Sequence, residues 1–127
     1  MKKKIIIAII STFSAGVVLI AACIGWFVYN DEYKLTLAGT ENSPDGKYAV
    51  VFQMVGSPDW PFGSTAVRIT VKDINNKKKL KVINTSIHND GGVLSKYNWD
   101  VLWQDESVKI ILKGSEQKDA VHIVMLY

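Results

Sequence analysis

One uninterrupted apolar stretch constrains this chain more than any other feature. It runs from Ile5 to Tyr29, contains no charged residue, and follows directly on three lysines, Lys2, Lys3 and Lys4. A helix of this length spans about 37 Å, which exceeds the ~30 Å hydrocarbon core of a bilayer. The lysines predict that their flank stays in the cytoplasm and that the rest of the chain lies outside it, as a single-pass membrane protein.

The only cysteine, Cys23, leaves the mode of anchoring open. Ile20–Cys23 reads Ile-Ala-Ala-Cys and resembles a bacterial lipobox, whose cysteine is lipidated. A cleavable secretory signal is a third alternative, but the apolar run continues past a cleavage point near Ala22. All three routes place the following domain outside the cytoplasm, and a single cysteine excludes an intramolecular disulfide.

The charge of the remaining chain is balanced. Residues 30–127 contain 12 Lys+Arg and 12 Asp+Glu, so the net charge of +3 comes from the three N-terminal lysines alone. Nucleic-acid binding requires a basic surplus that neutralises phosphates. The sequence therefore gives no support to a nucleic-acid partner.

The soluble part predicts an all-β domain. Residues 30–42 are expected to be a connector containing a short strand at 34–37, and residues 43–127 to form the domain. Thr65–Asp73 gives the clearest alternation in the chain, which predicts that Thr65, Val67, Ile69 and Val71 face one way. Further short apolar segments recur about every ten residues between turn sequences. Such spacing is typical of a small antiparallel meander or sandwich, here of six to seven strands.

Two segments resemble parts of known proteins. Ser43–Tyr48 reads SPDGKY before an apolar strand, and Val101–Leu112 reads VLWQDESVKIIL. Both resemble blades of TolB-like and prolyl-peptidase-like β-propellers. A propeller needs at least four blades, and this chain has room for about two. The resemblance therefore implies only a local antiparallel meander. More broadly, the chain resembles small membrane-anchored extracytoplasmic proteins of Gram-positive bacteria.

No residue pattern predicts catalysis. The histidines are His88 and His122, and neither lies in a nucleophile–base motif. We expect His88 at a strand end and His122 on the less buried face of the last strand. With Asp90 they lack the close ligand spacing of zinc sites. We therefore expect a protein that is not an enzyme and that has no cofactor and no metal.

The loop Gly56–Ser64 is the strongest candidate binding site. It combines two prolines with the aromatic residues Trp60 and Phe62, next to Asp59. Aromatic side chains on a rigid loop anchor protein interfaces. Alternatively, Trp60 or Phe62 covers one end of the small core. In the same way, we expect Tyr97, Trp99 and Trp103 to be core residues.

These features favour a membrane-anchored protein-binding module. A toxin-neutralising immunity protein fits the size, the anchor and the lack of catalytic groups, by architecture alone. An accessory subunit of a cell-envelope complex and a cell-wall polymer binder are the alternatives. The lysine group at 77–81 is interpreted as a solvated turn, or as a contact with an anionic surface.

Overall fold

The computed structural model describes residues 1–59 and 61–127 and begins with a long helix. Helix α1 spans Lys2–Val28 and continues into a π-helical turn at Tyr29–Tyr33. None of its residues is buried. The helix is long and apolar enough to cross a membrane. Since a helix that is apolar all round needs an apolar surrounding, a bilayer suits it better than water.

Seven antiparallel strands follow in two sheets, which confirms the all-β expectation. The first sheet has the order β1-β2-β3-β4 and the second the order β5-β6-β7. The strands are β1 Leu35–Asn42, β2 Tyr48–Val55, β3 Ser64–Asp73, β4 Lys78–His88, β5 Trp99–Trp103, β6 Ser107–Leu112 and β7 Ala120–Met125. Within each sheet, every strand pairs with its neighbour in sequence, as in a meander.

The core lies between the two sheets. β3 turns Thr65, Val67, Ile69 and Val71 inward, as its alternation predicts, and all four are buried. Val67, Ile69 and Val71 join buried residues of β6 and β7 in one apolar cluster. The two sheets thus pack face to face as a small sandwich.

Trp99 connects the sheets along one side of the sandwich. Its ring stacks on Phe52 with 4.1 Å between ring centroids. Its indole N–H donates to Glu41 Oε1 at 3.1 Å. A Cβ at Gly39 would collide with the same indole ring. The edge strands β1 and β5 are therefore held together by one side chain.

β1 and β4 show how bulges shape the first sheet. β1 runs through the expected connector to Asn42, because a bulge between Leu37 and Gly39 lets pairing with β2 continue. A second irregularity lies between Val71 and Lys72, opposite the start of β4. Leu80 of β4 is the residue left without a partner in this register.

Two predictions about side-chain faces are wrong. Tyr97 is 89% exposed, because Lys96–Asn98 forms a 3-10 turn before β5 begins. His122 shares the inward face of β7 with the buried Val124, whereas Val121 and Ile123 point outward and are exposed. His88 does end its strand, as expected.

Candidate functional site

The loop Gly56–Ser64 lies at the end of the sandwich that joins the helix. The backbone N–H of Ser57 donates to the Asp31 carbonyl at 2.6 Å, and that of Gly56 donates to the Lys34 carbonyl at 2.8 Å. Gly56 has a φ of 67°, and a Cβ there would collide with the Asp31 carbonyl. The loop is thus fastened by its backbone to the residues that leave the helix.

The described part of this loop leaves Phe62 in solvent. Phe62 is 70% exposed, so it does not cover the core. Asp59 is exposed, but it also shapes the loop: its carbonyl accepts from Gly63 N at 2.8 Å and its N–H donates to the Ser64 carbonyl at 3.0 Å. Trp60, the third predicted contact residue, lies outside the described residues.

A groove opens on the other side of the sandwich, between β4 and β7. It has a cavity volume of about 650 Å³. Its walls are Leu80–Ile83 from β4 and Val121–Met125 from β7. β4 and β7 are the last strands of their sheets and do not pair with each other. The sandwich is therefore bridged by Trp99 along one side and open along the other.

The free edge of β4 lies along this side. The His88 N–H donates to Gln117 Oε1 at 2.7 Å, and the His88 carbonyl accepts from Glu116 N at 3.0 Å. Backbone groups of successive residues point to alternate edges of a strand. Those of Ser86, Asn84 and Val82 therefore point to the same edge as those of His88.

The free edge of β7 is defined in the same way. The Leu126 N–H donates to the Glu106 carbonyl at 2.9 Å, towards β6. By alternation, the backbone groups of Val121, Ile123 and Met125 point away from β6. The side chains of these three residues are also exposed and apolar. An apolar strand with a free edge is a template for pairing with another chain.

The two ends of β4 differ. At the His88 end, the turn between β6 and β7 already occupies the free edge through Glu116 and Gln117. At the other end, four lysines surround the hairpin that connects β3 to β4: Lys77, Lys78, Lys79 and Lys81. This end is the one farther from the helix junction. The lysines are all exposed.

Positive charge and one unsatisfied polar atom also mark this side of the sandwich. Within residues 1–59 and 61–127, the only salt bridge joins Lys113 Nζ and Asp100 Oδ2, at 2.8 Å. The four hairpin lysines thus form no salt bridge in that part of the chain. His122 lines the groove, and its Nε2 atom is buried without a hydrogen-bond partner among the described residues. Such an atom costs about 1–3 kcal/mol.

The remaining predicted residues lie on the helix or far apart. Cys23 is exposed on α1, and Lys2, Lys3 and Lys4 form its first turn. In the described part of the chain, no three side chains of His, Cys, Asp or Glu gather into a metal-binding group. Neither the groove nor the docking of the loop could be found from the sequence, because both join segments that are distant along the chain.

Comparison of the chain with protein-family models, with curated proteins and with solved structures found no match.

Proposed function

We propose that this protein is a non-enzymatic binding module that binds a partner polypeptide in the groove between β4 and β7. Helix α1 anchors it in the membrane, and its β domain lies outside the cytoplasm. The partner segment is extended and acidic, and it pairs with the free edge of β4 as an added strand. The observation that carries this proposal is the pair of unpaired strand edges that line one groove.

Strand addition suits the backbone chemistry of the groove. An extended segment satisfies free N–H and C=O groups along an exposed edge, and side-chain pockets then give specificity. The outward-facing backbone groups of Val82, Asn84 and Ser86 offer such a ladder. Burial of the exposed Ile123 and Met125 side chains against the same segment adds about 25 cal/mol per Å² of apolar surface.

The charges favour an acidic segment over a neutral one. Lys81 lines the groove, and Lys77, Lys78 and Lys79 lie on the adjoining hairpin, where Lys77 and Lys79 line a separate cavity. Complementary charges raise the association rate and reject basic competitors more than they raise affinity. A partner with Asp or Glu near its end therefore meets the groove in one preferred direction.

The test is site-specific photo-cross-linking of the full chain in its native cells. A photoreactive residue at Val82 or Ile123 is expected to join the same polypeptide, whereas one at Leu37, exposed on the opposite edge strand β1, is not. The double variant Lys79→Glu/Lys81→Glu is expected to reduce the adduct several-fold, since it reverses the charge at the open end.

Strand addition can also be tested independently, by amide hydrogen exchange along β4. A synthetic peptide of the cross-linked segment is expected to slow amide hydrogen exchange at Val82, Asn84 and Ser86. Adducts only with a second copy of this chain, equal adducts from Leu37, or unchanged exchange along β4 would each contradict the proposal.

A further inference from the structure

We infer that the end of the β domain nearest the helix rests in the lipid headgroup layer of the bilayer that α1 crosses, with Phe62 and Val93 facing the lipid. This surface, the helix-proximal rim, comprises Tyr33, Phe62 and Val93 with their adjoining loops. The inference rests on the anchoring part of the proposed function and is independent of partner binding. It assigns to the bilayer the loop that the sequence predicts as a protein contact.

The first argument is the length of the connection. The π-helical turn ends at Tyr33 and β1 begins at Leu35, so only Lys34 separates the helix from the sheet. If the apolar stretch is centred in a ~30 Å hydrocarbon core, Tyr29 lies about 3 Å beyond the core and Asp31 about 6 Å beyond it. The headgroup layer is itself about 5–8 Å thick on each side. The domain therefore begins within or directly above this layer.

The second argument is the docking of the loop at that depth. Ser57 and Gly56 bind the carbonyls of Asp31 and Lys34 at 2.6 and 2.8 Å. These backbone bonds hold the start of the Gly56–Ser64 loop level with the helix end. Phe62 on this loop is 70% exposed, and so no part of the described protein covers it.

A second loop continues the same surface. The Gly91 N–H donates to the Gly63 carbonyl at 3.1 Å, and Thr65 Oγ1 donates to the Gly92 carbonyl at 2.8 Å. The neighbouring Val93 is 60% exposed. Tyr33, at the end of the helix, is exposed as well. Tyrosine favours the membrane–water interface, because its ring is apolar and its hydroxyl is polar. Phe62 and Val93 are apolar throughout and suit shallow insertion.

The charge of the rim decides what kind of lipid contact this is. Its exposed charged residues are Asp31, Glu32, Asp59 and Asp90 against Lys34 and Lys96. A rim with more acidic than basic residues is not drawn to anionic lipids. Shallow insertion of apolar side chains, rather than electrostatic attraction, is therefore the contact, and neutral headgroups suffice.

The experiment measures the depth of single labelled positions. Full-length Cys23→Ser protein carries one new cysteine, at Phe62 or Val93, labelled with a small environment-sensitive fluorophore. It is reconstituted into phosphatidylcholine vesicles that contain a headgroup spin label. The matched control position is Asn75, exposed on the hairpin at the other end of β3. We expect quenching at Phe62 and Val93 at least about twofold greater than at Asn75, because aromatic and apolar groups of the rim sit at headgroup level.

The possible failures are distinguishable. If alkaline extraction releases the protein from the vesicles, both the anchoring and the rim are overturned. If the protein resists extraction but Phe62 is quenched no more than Asn75, the rim alone is overturned. Quenching at Phe62 that appears only when phosphatidylglycerol replaces phosphatidylcholine would contradict the charge-independent contact. In protein labelled at Val93, the additional substitution Phe62→Ala is expected to lower the quenching of the label. The same substitution in protein labelled at Asn75 is expected to leave the quenching there unchanged, which separates loss of the lipid contact from a general folding defect.

Discussion

Trp99 is the single residue on which the two sheets depend most. It is 4% exposed, stacks on Phe52 and donates to Glu41. No other contact in the described residues combines an aromatic stack between the sheets with a hydrogen bond across the same side. Its removal therefore leaves a cavity in the core and also deprives the Glu41 carboxylate of its indole donor.

We predict that Trp99→Ala lowers the free energy of unfolding by about 3–5 kcal/mol, since a buried aromatic residue is lost without replacement. Urea unfolding of the full chain in detergent, followed by the fluorescence of the remaining tryptophans, measures the loss. Leu102→Ala is the matched control, because Leu102 is half-exposed on the same strand. Equal losses in the two variants would contradict the central role of Trp99.

Asp73 makes the stability of the folded domain depend on pH. Hydrogen bonds from Asn76 and Asn75 to its carboxylate hold the pKa of Asp73 below the ordinary value of 3.8. A carboxyl whose pKa is depressed by folding stabilises the native state above its unfolded pKa. This stabilisation is lost as the pH falls through the folded pKa.

We therefore predict that Asp73→Asn is less stable than wild type at neutral pH and that the difference shrinks below about pH 3.8. Thermal unfolding across the acid range measures this difference. Asp119→Asn serves as the control for a change of charge at an exposed loop position. A difference for Asp73→Asn that stays constant with pH would rule out the linkage.

At the scale of elements, the junction between α1 and the sandwich depends on Gly56. Its positive φ costs a non-glycine residue about 1–2 kcal/mol. A Cβ there would also strike the Asp31 carbonyl, whereas Gly46 has a similar φ of 73° with open space around its Cβ. The two glycines thus separate backbone strain from a steric collision.

We predict that Gly56→Ala speeds amide exchange at Ser57 and lowers stability by more than Gly46→Ala, which carries the strain alone at about 1–2 kcal/mol. Hydrogen exchange and urea unfolding of the two variants measure the effects. Equal behaviour of both variants would mean that the loop does not depend on its contact with Asp31.

β4 offers a test of which edge each residue faces. Thr85→Pro removes an N–H that pairs with β3, whereas Ser86→Pro removes one that faces the free edge. We predict that Thr85→Pro lowers stability by about 1–3 kcal/mol more than Ser86→Pro, because it leaves a ladder acceptor on β3 unpaired. Thermal unfolding decides between them, and the reverse order would invert the assignment of the free edge.

At the scale of the whole molecule, local sequence patterns predicted the fold class but not the groove or every buried face. The alternation of β3 predicted its buried face, because a pattern of period two indicates a strand with one covered side. Tyr97 was mispredicted because its strand-like pattern extends into a turn that Ser95 and Asn98 close by reciprocal hydrogen bonds. In β7 both parities are apolar, so alternation carried no information about His122.

The candidate site escaped prediction for a different reason. The groove is made by the meeting of β4 and β7, which lie about thirty residues or more apart along the chain and carry no shared motif. The docking of the loop on the helix end uses backbone atoms, which leave no side-chain signature. Phe62 was predicted as a candidate contact residue, and what it contacts stays a prediction.

The one-residue connection at Lys34 fixes how the sandwich is rotated about the axis of α1. The helix end, the loop at Ser57 and the start of β1 are joined by short backbone bonds, so the azimuth of the groove is tied to one face of α1. One residue inserted before Lys34 would turn that face by about 100° relative to the sandwich. A complex that binds both the helix and the groove would therefore bind the variant with one inserted alanine less well, because the two surfaces are rotated relative to each other although neither has changed.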